Sequence, residues 1–172
     1  MPKKSTIRKA SKAKREGKAP TTQAGEFVRE EIEDIRKGKH GARSTKQAIA
    51  IGLSKARRAG VKLKPPKKGE ASERTVRSAE RDYRKGQSHT KKAVNPKRSR
   101  ATTEALRREG QEAASPAALA RQAKQQAAKR TKKERSAIAR KAAKTRLAHQ
   151  TPQERKSIAR KAARTRAARQ GK

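Results

Sequence analysis

The sequence has no cysteine and no tryptophan, and its 172 residues include one phenylalanine and one tyrosine. Without cysteine there is neither a disulfide framework nor a thiolate zinc site. So few aromatics weigh against folds that read single-stranded nucleic acid by stacking, because those need several aromatic platforms. Large aliphatic residues are scarce too. Hydrophobic residues make up 30% of the chain and most of them are alanine, so Leu, Ile, Val and Phe together fall well below the ~20% that accompanies ordinary folding. No run of ~18 apolar residues is present to span a membrane, and no apolar stretch follows Met1, so no secretory signal is expected. Acids are short as well: 15 Asp and Glu stand against 52 Lys and Arg, a formal net charge of +37. Ordering a chain costs roughly 1–2 kcal/mol per residue, and high charge with low hydrophobicity is the composition of a largely disordered protein. The expected fold class is therefore mostly disordered and otherwise all-α. It consists of a small helical hairpin plus isolated basic Ala-rich helices, with no large core.

What is abundant is positive charge, and it runs the length of the chain. Residues 1–19 carry eight Lys or Arg against Glu16, and residues 129–172 carry seventeen against Glu134 and Glu154. Such an excess points to a polyanion, with nucleic acid ahead of membrane. A membrane-surface helix needs bulky apolar residues opposite its charges, and the last third offers only Ile138, Leu147 and Ile158.

Four regions are expected. Residues 1–24 read as a disordered basic arm without periodicity. Residues 25–63 read as a helical hairpin. In EFVREEIEDIRK (26–37), Val28, Ile32 and Ile35 fall at i, i+4 and i+7 on one helical face, with Gly38 placed to end the helix. In STKQAIAIGLSKARRAG (44–60), Ser44 or Thr45 caps the start and Gly60 stops the end. Gly52 in its middle costs roughly 1 kcal/mol relative to Ala and suits a close helix approach. Phe27, Val28, Ile32, Ile35, Ile49, Ile51, Leu53, Val61 and Leu63 would form the core. A unit this small rarely stands alone, so it is expected to be marginal, to form a homodimer through 26–63, or to order on its ligand. Residues 64–130 read as a basic linker region with short helices. These are a helix at 73–85 between Ser72 and Gly86, a loop at 86–100 broken by Asn95-Pro96, a helix at 103–109, and an Ala-rich segment from Pro116 to Arg130.

Residues 131–172 hold a duplication. TKKERSAIARKAAKTRLAHQ (131–150) and TPQERKSIARKAARTRAARQ (151–170) are identical at 13 of 20 aligned positions. Each opens on Thr-x-x-Glu, the capping-box pattern of a helix start, and each carries seven bases and one acid. Two helices of about 18 residues, roughly 27 Å long, are expected. The units lack the apolar face of a solenoid and the heptads of a coiled coil. Lys133, Arg140, Lys141 and Lys144 gather on one side, opposite Ile138, Ala142 and Thr145. Arg160, Lys161 and Arg164 repeat the pattern opposite Ile158, Ala162 and Thr165. Repulsion between the bases opposes helix formation in the free chain, so frayed helix alone and helix on nucleic acid is expected.

Enzymatic chemistry is not visible. There is no phosphate-binding glycine loop and no nucleophile with a His/Asp partner pattern, so neither an enzyme nor a cofactor is expected. His40, His89 and His149 lie far apart among bases, and no metal site is expected. The acids Glu30, Glu31, Glu33 and Asp34 have two readings: ordinary ion-pair chemistry, or an intramolecular brake competing with DNA for the bases. The candidate nucleic-acid contacts are Arg57, Arg58, Lys133, Arg140, Lys141, Lys144, Arg160, Lys161, Arg164 and Arg166.

Residues 41–63, GARSTKQAIAIGLSKARRAGVKL, resemble a family of small basic bacterial proteins of unknown function that share K-Q-A-I-A-I-x-L-S-x-A-R-x-A-G, matched from Lys46 through Gly60. Residues 77–122, with SAERDY, NPKRSRAT and all but the last residue of ASPAALARQA, are similar to the downstream part of some members. Members are described as DNA-binding, mostly on basicity, and the resemblance implies a bacterial, cytoplasmic, nucleoid-associated setting without a mechanism. The Ala/Lys/Arg tail separately resembles bacterial linker-histone-like proteins. The expected function is sequence-nonspecific DNA binding by phosphate neutralisation, with helix formation on binding. The alternatives are an RNA-binding or ribosome-associated chaperone and a protein-interaction module with localising basic tails.

Overall fold

The computed structural model describes residues 2–67, 69–88 and 95–170, apart from the side chains of His149, Arg169 and Gln170. The described residues are helical nearly throughout: α1 Lys4–Arg15, α2 Pro20–Arg36, α3 Thr45–Arg58, α4 Glu73–Gln87, α5 Pro96–Arg107, a short 3-10 turn Glu112–Ala114, α6 Pro116–Ala128, α7 Lys132–His149 and α8 Pro152–Gln170. Residues 1–123 form one compact unit and residues 124–172 another.

The all-α expectation holds, but the expectation of a mostly disordered chain does not. Helix α1 occupies the segment expected as a disordered arm, and α2 begins at Pro20 rather than residue 26. The reason lies in small residues. Thr6, Ala10 and Ala13 are buried, and they stand at i, i+4 and i+7, the helical period written in short side chains. Short side chains let helix backbones approach closely, so α1 packs on α2 with little apolar volume. The core follows the same rule. Ile32, Ile35, Ala42, Ala48, Ala113 and Ala114 form one buried cluster, joined by Val28 and Leu119. Ala10, Ala24, Phe27, Ala56 and Val61 form a second, joined by Leu53 and Leu63. Ile49 and Ile51, expected in the core, are only half-buried.

The hairpin of α2 and α3 is antiparallel, pairing Ile35 with the start of α3 at Ala48 and Ala24 with its end at Ala56. Its crossing point is Gly52, where a Cβ would stand 2.7 Å from the Val28 Cα. Helices α1, α2 and α3 all end in the same way. The residues after their C-caps, Gly17, Gly38 and Gly60, have positive φ (68°, 69° and 90°). The next amides, of Lys18, Lys39 and Val61, return to Ala13, Asp34 and Ala56 carbonyls, completing the left-handed glycine cap. Within the chain, α1 packs on α2, α4 packs on α3, and the 3-10 turn packs on both α2 and α3. The 3-10 turn is held by Thr45 Oγ1 donating to the Ala113 carbonyl at 2.7 Å and Arg36 Nε donating to the Ala114 carbonyl at 2.8 Å.

Downstream, Ser72 caps α4 by accepting from the Thr75 amide, but Gly86 does not end the helix. It lies inside α4, where a Cβ would overlap the Arg57 carbonyl, so the glycine serves helix contact rather than termination. Asn95-Pro96, expected as a breaker inside a loop, is the start of α5: Asn95 accepts from the Arg98 amide and Pro96 occupies the first turn. Pro is at home there because its missing N–H has no partner in the first turn anyway. The remainder of the expected loop, at 89–94 and including His89, lies outside the described residues. The end of α5 is tied to the α2–α3 connection, with Gly41 and Ala42 amides donating to the Leu106 and Gly110 carbonyls.

Candidate nucleic-acid interface

In the second unit, α7 and α8 reproduce the repeat. Thr131 and Glu134 form a reciprocal box: the Glu134 amide donates to Thr131 Oγ1 at 3.2 Å, and the Thr131 amide donates to Glu134 Oε2 at 2.8 Å. Thr151 and Glu154 repeat it at 3.3 and 2.8 Å. Bonds from the Thr131 and Thr151 backbones, supported by their hydroxyls, hold the Glu134 and Glu154 carboxyls below the usual carboxylate range. Thr145 and Thr165 bond back to the Lys141 and Lys161 carbonyls at 3.0 Å. Arg155 Nη2 donates to the Leu147 carbonyl at 2.8 Å, satisfying an orphan acceptor in the last turn of α7.

Every described side chain of α7 and α8 is exposed, so the thin stripe carrying Ile138 and Ile158 is no core. One face of α8 is formed by Gln153, Lys156, Ser157, Arg160, Lys161 and Arg164. The same register on α7 brings Lys133, Arg140, Lys141 and Lys144 to one face. Arg166 is not on it: two residues beyond Arg164, it projects ~200° away around the helix. Lys156 belongs to this face and was missed from sequence, although its place four residues before Arg160 put it there. Each helix has one acid, and that acid is engaged at its own N-terminus. Among the described residues, no carboxylate within 4 Å pairs with the bases of either helix.

The two candidates in the first unit differ. Arg57 is 8% exposed, and its guanidinium donates to the Leu63 and Lys64 carbonyls at 3.2 and 3.4 Å. Burial lowers its pKa against the opposing pull of Asp82. It secures the segment after α3 and is withdrawn from any surface. Arg58 is exposed, 3.8 Å from Asp82 Oδ1.

The acids of α2 engage none of the candidate contacts. Asp34 receives Lys3 Nζ and Lys39 Nζ, each at 2.8 Å. Burial pushes its carboxyl up, but the two ammonium groups outweigh burial and hold it low. The Lys3 amide donates to Glu30 at 3.0 Å. Glu31, fully buried, binds Lys55 Nζ and stands 3.5 Å from His40 Nε2. This is the arrangement of ordinary ion pairs, tying the start of α1 and the middle of α3 to α2. Among the described residues, no three acid or histidine groups are placed to hold a metal ion, and no helix is long and apolar enough to cross a membrane.

No curated protein and no solved structure matches the chain. Residues 3–69, which contain α1, α2 and α3 but neither repeat, match the model of a family of unknown function (DUF6496).

Proposed function

We propose that this protein binds duplex DNA without sequence preference, as a nucleoid-associated, histone-like protein. It neutralises phosphates with α7 and α8 and gains helix as it binds. The observation that carries the reading is the isolation of the tail bases: both acids of the repeats are consumed in capping boxes. Phosphates supply the missing counter-charge and relieve the repulsion that frays an uncompensated basic helix. The contacts are Lys133, Arg140, Lys141 and Lys144 on one helix and Lys156, Arg160, Lys161 and Arg164 on the next, with Arg58 as an outlying exposed base. Backbone binding rather than base stacking is favoured because Phe27 is buried in the core and Tyr83 is half-buried.

Titration against a short duplex at several salt concentrations tests this. Replacing Arg140, Lys141, Lys144, Arg160, Lys161 and Arg164 by Gln should reduce the slope of log K against log salt by about 5, at ~0.9 per phosphate contact. Circular dichroism should show added helix when wild-type protein meets DNA. Unchanged affinity and slope in the variant would refute the reading, and a clear preference for structured RNA would replace duplex DNA as the ligand.

A further inference from the structure

Outside the tail, one surface of the first unit gathers four arginines around a groove with a single acid, Glu73. Helix α4 is sharply two-sided. Val76, Ala79 and Tyr83 stand on one face, with Gly86 against the end of α3. On α4's flank toward α3, Asp82 accepts from Ser54 Oγ and sits 3.8 Å from Arg58 Nε. Gln87 Nε2 donates to the Gly60 carbonyl at 3.3 Å. With that side locked to α3, the rotation of α4 is set, and Arg74, Arg77 and Arg81 at i, i+3 and i+7 point the other way. Arg98, from the first turns of α5, meets them. Together with Glu73 and Ser78 they line an open groove of about 490 Å³.

Four arginines from two helices thus line one groove that holds a single carboxylate. Glu73 serves Arg77 at 2.9 Å, and Ser78 Oγ accepts from Arg81 at 3.3 Å. Arg74 and Arg98 have no carboxylate partner among the described residues. Elsewhere in the same unit Lys18, Arg43 and Lys39 stand beside Glu16, Glu109 and Asp34, while exposed bases such as Lys46, Lys62 and Lys67 stand singly rather than in a shared groove. Arginine is the base whose planar fork grips phosphate oxygens in pairs, and the bases of the groove are all arginine, whereas the tail faces mix lysine and arginine.

We infer that Arg74, Arg77, Arg81 and Arg98 form a second phosphodiester-binding site, separate from the repeats, that grips the backbone of duplex DNA. The inference rests on the proposed function for the identity of the polyanion, but its site shares no residue with that proposal. It gives the chain two duplex contacts, one on the folded unit and one on the tail.

The test uses the full chain and a short DNA duplex, between 50 and 200 mM salt. R74Q/R81Q/R98Q should reduce the slope of log K against log salt by about 2.7, so that affinity falls ~40-fold less over that range than in wild type. K46Q/K62Q/K67Q removes the same charge from exposed positions outside the groove and should change the slope much less. R74Q/R98Q alters no bond within the chain and should reduce the slope by about 1.8; it keeps the experiment readable if the triple variant loses helix. Both groove variants are repeated in the tail-neutralised background. There the groove effect should persist, whether or not tail neutralisation itself weakened binding, so the two proposals fail separately. A groove effect no larger than that of the control, or one seen with structured RNA but absent with duplex DNA, would overturn the inference.

Discussion

Replacing Gly52 by Ala sets two known magnitudes against each other. Alanine in a helix interior is favoured over glycine by about 1 kcal/mol, and on helix propensity alone the change should stabilise the protein. The crossing of α2 over α3 says otherwise. The added Cβ would lie 2.7 Å from the Val28 Cα and 3.0 Å from its amide nitrogen and Cγ2. Two of these three atoms are backbone, so a rotamer change cannot clear them, and α2 and α3 must separate. Overpacking of this kind costs about 1–3 kcal/mol, and with backbone on both sides the upper half of that range applies. The net expectation is a loss of about 1–2 kcal/mol. Gly25 supplies the control. It too lies inside a helix, α2, but a Cβ there meets nothing within 4 Å, so Gly25→Ala should stabilise by up to about 1 kcal/mol. For a unit of this size 1 kcal/mol is about 4 °C, which places the two midpoints about 4–12 °C apart. Thermal and urea unfolding followed by circular dichroism measures this, reading the cooperative transition of the folded unit. If Gly52→Ala were as stable as Gly25→Ala, the close crossing of the hairpin would be refuted.

Three further outcomes follow from the first unit. Lys55→Met leaves the fully buried Glu31 without its ammonium partner and should cost about 3 kcal/mol in urea unfolding; a loss under about 1 kcal/mol would show that the pair is solvated. Asp34 is held below its ordinary value by Lys3 and Lys39, so its stabilisation is present above about pH 4, the unfolded carboxyl's range, and is lost as pH falls through the lower folded value. Asp34→Asn should flatten that part of the acid-unfolding curve, and an unchanged curve would contradict the assignment. Arg57→Met should lower the unfolding midpoint while leaving duplex affinity and salt slope unaltered, because its guanidinium holds the Leu63 and Lys64 carbonyls; a fall in slope with unchanged stability would return Arg57 to the DNA interface.

The sequence by itself determined the local features, because they depend on neighbours in the chain. The capping boxes at Thr131 and Thr151, the Ser44 and Ser72 caps, and the helix ends at Gly38 and Gly60 all sit where short-range chemistry puts them. So do the faces of Lys133 to Lys144 and Arg160 to Arg164, since 3.6 residues per turn is enough to place them. The tertiary structure decided what depends on helices meeting. A composition rule that counts large side chains could not see α1, whose buried period is Thr6, Ala10 and Ala13, because alanine contributes through close backbone approach rather than through volume. The same contacts turned Gly86 from a helix end into a packing site and drew Arg57 inward while Arg58, one residue on, stayed at the surface. They also gathered Arg74, Arg77 and Arg81 with Arg98 across two helices. Adjacent residues of a helix point ~100° apart, so which of them meets solvent is set by what packs against the helix.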